Sequence, residues 1–138
     1  MGTWDFGVMD DDAVADAYDD YMERFDLKIP HDQIVNELRQ KYAEDMDDPD
    51  QALLIWLAIA KAQWECGTLQ KAVFDRVRTM IEQGGDLNRW AEAGEEAVAK
   101  RREALQAFLT ELQTPNHQPR KPRKSSWWTT LRRFFGRE

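Results

Sequence analysis

The stretch Asp45–Asp50, "DMDDPD", places four carboxylates within six residues, which is how a calcium loop would begin. Counted from Asp45, however, position 6 is Asp50 where such a loop needs glycine, and position 12 is Trp56 where it needs glutamate. The spacing excludes an EF-hand. The run Asp10–Asp12 has the ligand type for a weakly held divalent ion, but it also has the composition of a helix start. His31 and His117 both fall in polar segments with no cysteine or second histidine nearby, so no transition-metal site is indicated. Cys66 is the single thiol and closes an apolar stretch far from either histidine, which reads as a structural cysteine. There is no G-x-S-x-G, no phosphate-cradling glycine loop and no H-E-x-x-H. With 26 acids in a small chain, chance carboxylate pairs are expected and carry no information. The expectation is a protein without catalytic residues, metal or cofactor.

Charge is the stronger signal. The 138 residues sum to −7, yet Arg120–Glu138 holds seven basic residues and one acid, a local balance of +6. The preceding 119 residues therefore carry −13. A body that acidic repels nucleic acid and anionic lipid and suits a basic protein partner, whereas the tail attracts both polyanions. One cysteine rules out an internal disulfide and fits a reducing compartment. The opening "MGTWDFGVMDDD" has no basic and apolar regions of a secretory signal, and Phe6 stands where myristoylation favours Ser or Thr. The longest apolar run, Ala52–Ala60, is far short of the roughly 20 residues that span a bilayer. These features place the chain in the cytoplasm, with the tail able to bring it to a membrane surface.

The elements that must position any site are helical: an all-α, compact bundle of about five helices with a C-terminal extension carrying a short amphipathic helix. A first helix starts near Asp10 or Asp11, with Val14, Ala17, Tyr18, Tyr21 and Phe25 facing inward and Asp12, Asp16, Asp19, Asp20 and Glu23 opposite. A second begins at Pro30 and has the stripe Ile34, Leu38, Tyr42. A third has Asp48 as cap and Pro49 in its first turn, is apolar nearly all round, and reads as the buried centre, stopped by Gly67. A fourth takes Thr68 as cap, with Leu69, Val73, Val77 and Met80/Ile81 inside, and ends at Gly84–Gly85. The last runs from about Leu87 to Gln113 with Leu87, Trp90, Val98, Leu105, Phe108 and Leu112 inward, Arg101 diluting its middle and Gly94 marking a kink or close crossing. The alternative for the N-terminus is a small strand at "TWDF". The organisation is thus an acidic helical domain at 1–113, a Pro/basic linker at 114–124 extended outside the bundle, and a basic amphipathic tail at 125–138.

In that tail Trp127, Trp128, Leu131, Phe134 and Phe135 share one side of a helix, with Arg132, Arg133 and Arg137 toward the other. About a dozen residues hold no helix alone in water, so the segment orders against a surface. Together with Arg120, Lys121, Arg123 and Lys124 it suits an anionic membrane, where each basic residue adds about 1 kcal/mol. A protein groove suits the apolar stripe equally, and single-stranded nucleic acid suits it less, because stacking needs no helical period. The acidic face of the first helix suits three roles: solubility, docking of a basic partner, or holding the protein's own tail.

The opening "MGTWDFGVMDDDAVADAY" resembles the start of an uncharacterised bacterial family of small proteins beginning Met-Gly-x-Trp-x-x-Gly, followed by an acidic Asp/Asn cluster. Met1, Gly2, Trp4, Gly7, Asp11, Asp12, Ala13 and Asp16 carry the resemblance, and Asp5 and Val8 depart from it. It implies a bacterial origin and carries over no activity to this chain. The functional expectation is an interaction protein of immunity or antitoxin type, binding a basic partner through Asp12, Asp16, Asp19, Asp20 and Glu23. A peripheral membrane adaptor and a nucleic-acid binder, both acting through the tail, are the alternatives.

Overall fold

Residues 52–60 are apolar at every position, so a helix through them has no side to give to water and is stable only if enclosed by other helices. A computed structural model, which describes residues 7–123, shows that enclosure. The helices are α1 (Asp12–Asp26), α2 (His31–Lys41), α3 (Ala43–Met46), α4 (Pro49–Glu65), α5 (Lys71–Glu82), α6 (Leu87–Trp90) and α7 (Glu95–Gln113). Short 3-10 turns occupy Val8–Asp10 and Ala91–Ala93. No strand occurs among the described residues, and "TWDF" lies outside them. Five of the helices are long, and α3 and α6 are single turns.

Every residue from Ala52 to Ala60 is buried, and α1, α5 and α7 all pack on α4. Its start is fixed locally. Pro49 lacks the N–H that a first-turn residue would leave unsatisfied, and Asp48 accepts a hydrogen bond from the Asp50 N–H at 2.9 Å. α1 is capped likewise by Asp11, whose carboxylate accepts from the Ala13 N–H at 3.0 Å. Val14, Ala17, Tyr21 and Met22 bury its inner face, with Tyr18 and Phe25 half-buried beside them.

The structure corrects three expectations. Thr68 does not cap the next helix. Its hydroxyl donates to the Cys66 carbonyl at 3.2 Å, and α5 begins three residues later at Lys71. The acceptor at the start of α5 comes from another helix: the fully buried Gln63 of α4 takes the Gln70 N–H at 3.0 Å. Secondly, the stretch 87–113 is not one helix. Gly94 sits at φ 103°, ψ 167°, a left-handed conformation that an α-helix cannot contain, so α6 ends and α7 starts afresh.

Thirdly, Arg101 does not dilute the inner face of α7 but lies wholly inside it, paired with the equally buried Asp86. Arg101 Nε and one terminal nitrogen donate to the two Asp86 oxygens at 3.1 and 2.9 Å. Arg89 Nε adds a third bond at 2.8 Å and its other end reaches Asp11 at 2.7 Å. Burial alone would raise the Asp86 pKa, but the hydrogen bonds and charges of Arg101 and Arg89 outweigh it and hold the carboxyl below its usual range. The break at Gly94 is what turns α6 back so that Asp86 and Arg89 meet α7.

Candidate binding surface: the acidic face of α1 and the strap at its end

Asp12, Asp16, Asp19 and Glu23 recur at i, i+4, i+7 and i+11, one row along the outer side of α1, and all four are exposed. Among the described residues no cation lies in salt-bridge range of Asp12, Asp16 or Asp19. Such neighbours repel one another by a few tenths of a kcal/mol per pair. Asp20 departs from the row. It is half-buried and turned to the α2–α3 junction, where Lys41 bonds it at 2.8 Å and the Tyr42 hydroxyl donates to it. Arg24 Nη1 also lies 3.9 Å away. Burial raises its pKa and these partners more than reverse that, so Asp20 is a charged internal tie rather than part of the presented face.

One turn beyond Glu23, Asp26 continues the row and is occupied. Arg120 donates to its two carboxylate oxygens at 2.7 and 3.1 Å, and the Arg123 backbone N–H adds a bond at 3.0 Å. The Arg120 contact holds Asp26 below the usual carboxylate range against a smaller opposing effect of burial. A shallow cavity of about 360 Å³ between Asp19, Glu23, Asp26, Arg120 and Arg123 joins the strap to the exposed acids.

This overturns the reading of 114–124 as a linker outside the bundle, for the residues described. The Trp64 indole donates to the Thr114 carbonyl at 2.8 Å, and the Asn116 amide donates to the carbonyls of Trp64 and Glu65 at 3.0 Å each. Arg120 N donates to the Glu65 carbonyl at 2.6 Å. A strap without apolar anchors is thus held by the Trp64 and Glu65 carbonyls at the end of α4, the first of which also accepts from the Gly67 N–H at 3.0 Å. Pro119 rides directly over Gly67, where a Cβ would come within 2.7 Å of the proline ring. Gly67 therefore does two things: at φ 74° it ends α4, and it leaves room for the strap.

Of the remaining predicted docking residues, Lys121 and Arg123 are exposed, and Lys124, Trp127, Trp128, Leu131, Arg132, Arg133, Phe134 and Phe135 lie outside the described residues. His31 opens α2 and packs against Tyr21 and Phe25, with ring centroids at 5.8 and 5.5 Å. Burial holds it below its usual pKa. Burial also pushes the Cys66 thiol up to about 11, in contact with Met22 sulfur. Among the described residues no three His, Cys, Asp or Glu side chains converge as a metal site would require.

Fold and surface together define an all-helical bundle presenting an acidic row with a basic strap at one end. Protein-family models, characterised proteins and solved structures all fail to match the chain.

Proposed function

We propose that the chain is a bacterial, non-enzymatic interaction protein that receives a basic protein partner on the acidic face of α1, in the manner of an immunity or antitoxin-type protein. The observation that carries this reading is the strap. At Asp26 the chain's own Arg120 and the Arg123 backbone N–H already fill one position of the row, which supports a ligand of the same kind for the rest: a guanidinium with an extended, proline-spaced backbone. Asp12, Asp16 and Asp19 offer the same charge with no cation in salt-bridge range among the described residues. Complementary charge along such a row speeds encounter and fixes orientation more than it adds raw affinity.

A peptide copying 120–124, Arg-Lys-Pro-Arg-Lys, serves as probe. At low salt it binds the full chain, and it binds at least tenfold more weakly to the variant with Asp12, Asp16 and Asp19 changed to lysine. Arg120→Ala strengthens binding by vacating Asp26. Unchanged affinity in the triple variant, with melting also unchanged, sinks the reading.

The tail supports a second reading, a peripheral membrane adaptor, through its sequence alone. Because residues 120–123 belong to the body's packing, the informative comparison cuts after Arg123. The full chain co-sediments with anionic vesicles and the 1–123 chain does not. Equal sedimentation removes the membrane role, and retention of a single-stranded oligonucleotide instead favours nucleic acid.

A further inference from the structure

Arg39 of α2 and Arg76 of α5 converge on one side chain, Trp56 of α4, their guanidinium carbons 5.6 and 4.6 Å from its ring centroid. Trp56 is buried and both arginines are exposed. In this chain with 26 acids, five of the nine described arginines have a carboxylate partner. Arg24, Arg78, Arg89, Arg101 and Arg120 each have one within 4 Å. Arg39 and Arg76 have neither a carboxylate in that range nor a hydrogen-bond acceptor among the described residues. A guanidinium resting on an aromatic ring engages it through its face, which leaves its in-plane N–H donors directed away. Two guanidiniums thus meet at one ring with no protein acceptor among the described residues.

They also stand between two cavities. One, about 440 Å³, continues past Met46, Ala52 and Met80. The other, about 290 Å³, continues past Val35 and Val73. Arg39, Trp56 and Arg76 line both. Each cavity also has one acid in its lining, Asp47 in the first and Asp32 in the second, where Asp32 accepts from the Gln70 amide at 2.6 Å.

We infer that Arg39 and Arg76, held over the Trp56 indole, form a clamp for a phosphate monoester whose apolar group rests in the adjoining groove. One carboxylate is satisfied by a single guanidinium fork, whereas a phosphate dianion offers three oxygens and two charges, enough for both forks. The apolar walls on either side select an ester over the free ion. The clamp shares no residue with the acidic row of α1 and does not depend on it.

Titration calorimetry of the full chain with phenyl phosphate tests the clamp. Saturable binding is expected, at least tenfold tighter than for inorganic phosphate or for phenylacetate, and weakening several-fold below the second phosphate pKa of about 6. Arg39→Gln together with Arg76→Gln lowers the affinity at least tenfold with the melting temperature unchanged. If that pair perturbs folding, Arg39→Lys keeps the charge, loses the fork and is expected to bind more weakly than the parent chain. Absence of saturable binding at millimolar ligand, equal affinity for phenylacetate, or undiminished binding by the arginine variants overturns the proposal.

Discussion

Replacing Asp86 by alanine lowers the stability of the folded chain by about 3 to 5 kcal/mol, because it takes from a buried, permanently charged guanidinium its buried carboxylate and two hydrogen bonds. Arg101 is fully buried and spends two of its donors on Asp86, and Arg89 leans on the same carboxylate. Gly7 O accepts a further, longer bond from Arg101 at 3.4 Å, and it carries no full charge to balance the guanidinium. Removing both charges is a different matter. Asp86→Leu with Arg101→Met leaves no buried charge unpaired and restores most of the loss, because well-packed apolar replacements of buried ion pairs are often neutral or better. Urea denaturation midpoints separate the two variants, and a loss below about 1 kcal/mol for Asp86→Ala would show that Asp86 is not what makes burial of Arg101 tolerable. The acid side gives a second check. Asp86 has a folded pKa below its unfolded value, so the stability it contributes is present above the ordinary carboxylate range near 3.9 and is lost as pH falls through the folded value. The alanine variant lacks that portion of the acid transition.

The same pair shows why part of this protein was readable from its sequence and part was not. The start of α4 was legible because its determinants are adjacent: Asp48 and Pro49 need no distant partner to act. The enclosure of α4 followed from its lack of a polar side. Arg101, in contrast, occupies the inner register between Ala97 and Leu105, and periodicity alone presents a charge there as a flaw. Its meaning depends on Asp86, which reaches it only because Gly94 breaks the helix between them. A charged residue on an inner row was the available sign that a buried acid had to exist. The row Asp12, Asp16, Asp19 and Glu23 was legible from its spacing, but Asp20 was not separable from it, since helical spacing does not say which flank meets α2. The strap at 114–123 is not legible in the sequence because it packs without apolar side chains. Backbone carbonyls at the end of α4 and one aspartate hold it instead.

Gln63 carries the next largest effect. Truncation to alanine costs about 2 to 4 kcal/mol, combining an unfilled volume in the centre of the bundle with the loss of hydrogen bonds at both ends of the amide. The amide is fully buried; its oxygen accepts from the Gln70 N–H at 3.0 Å and its nitrogen donates to the Gln70 side-chain oxygen at 2.8 Å. Gln70 in turn donates to Asp32 at 2.6 Å, so one chain of bonds joins α4, the start of α5 and α2. Gln63→Leu distinguishes packing from bonding, since it fills the volume and offers no acceptor. It should still cost about 1 to 3 kcal/mol, the penalty of leaving the Gln70 N–H without a partner at a helix start that has no cap of its own. Faster hydrogen exchange confined to the first turn of α5 would accompany it. A leucine variant as stable as the parent would mean that α5 needs no cap and that Gln63 merely occupies space. Those three helices also carry Arg39, Trp56 and Arg76, so a loosened start of α5 would reach the ring over which those two arginines meet.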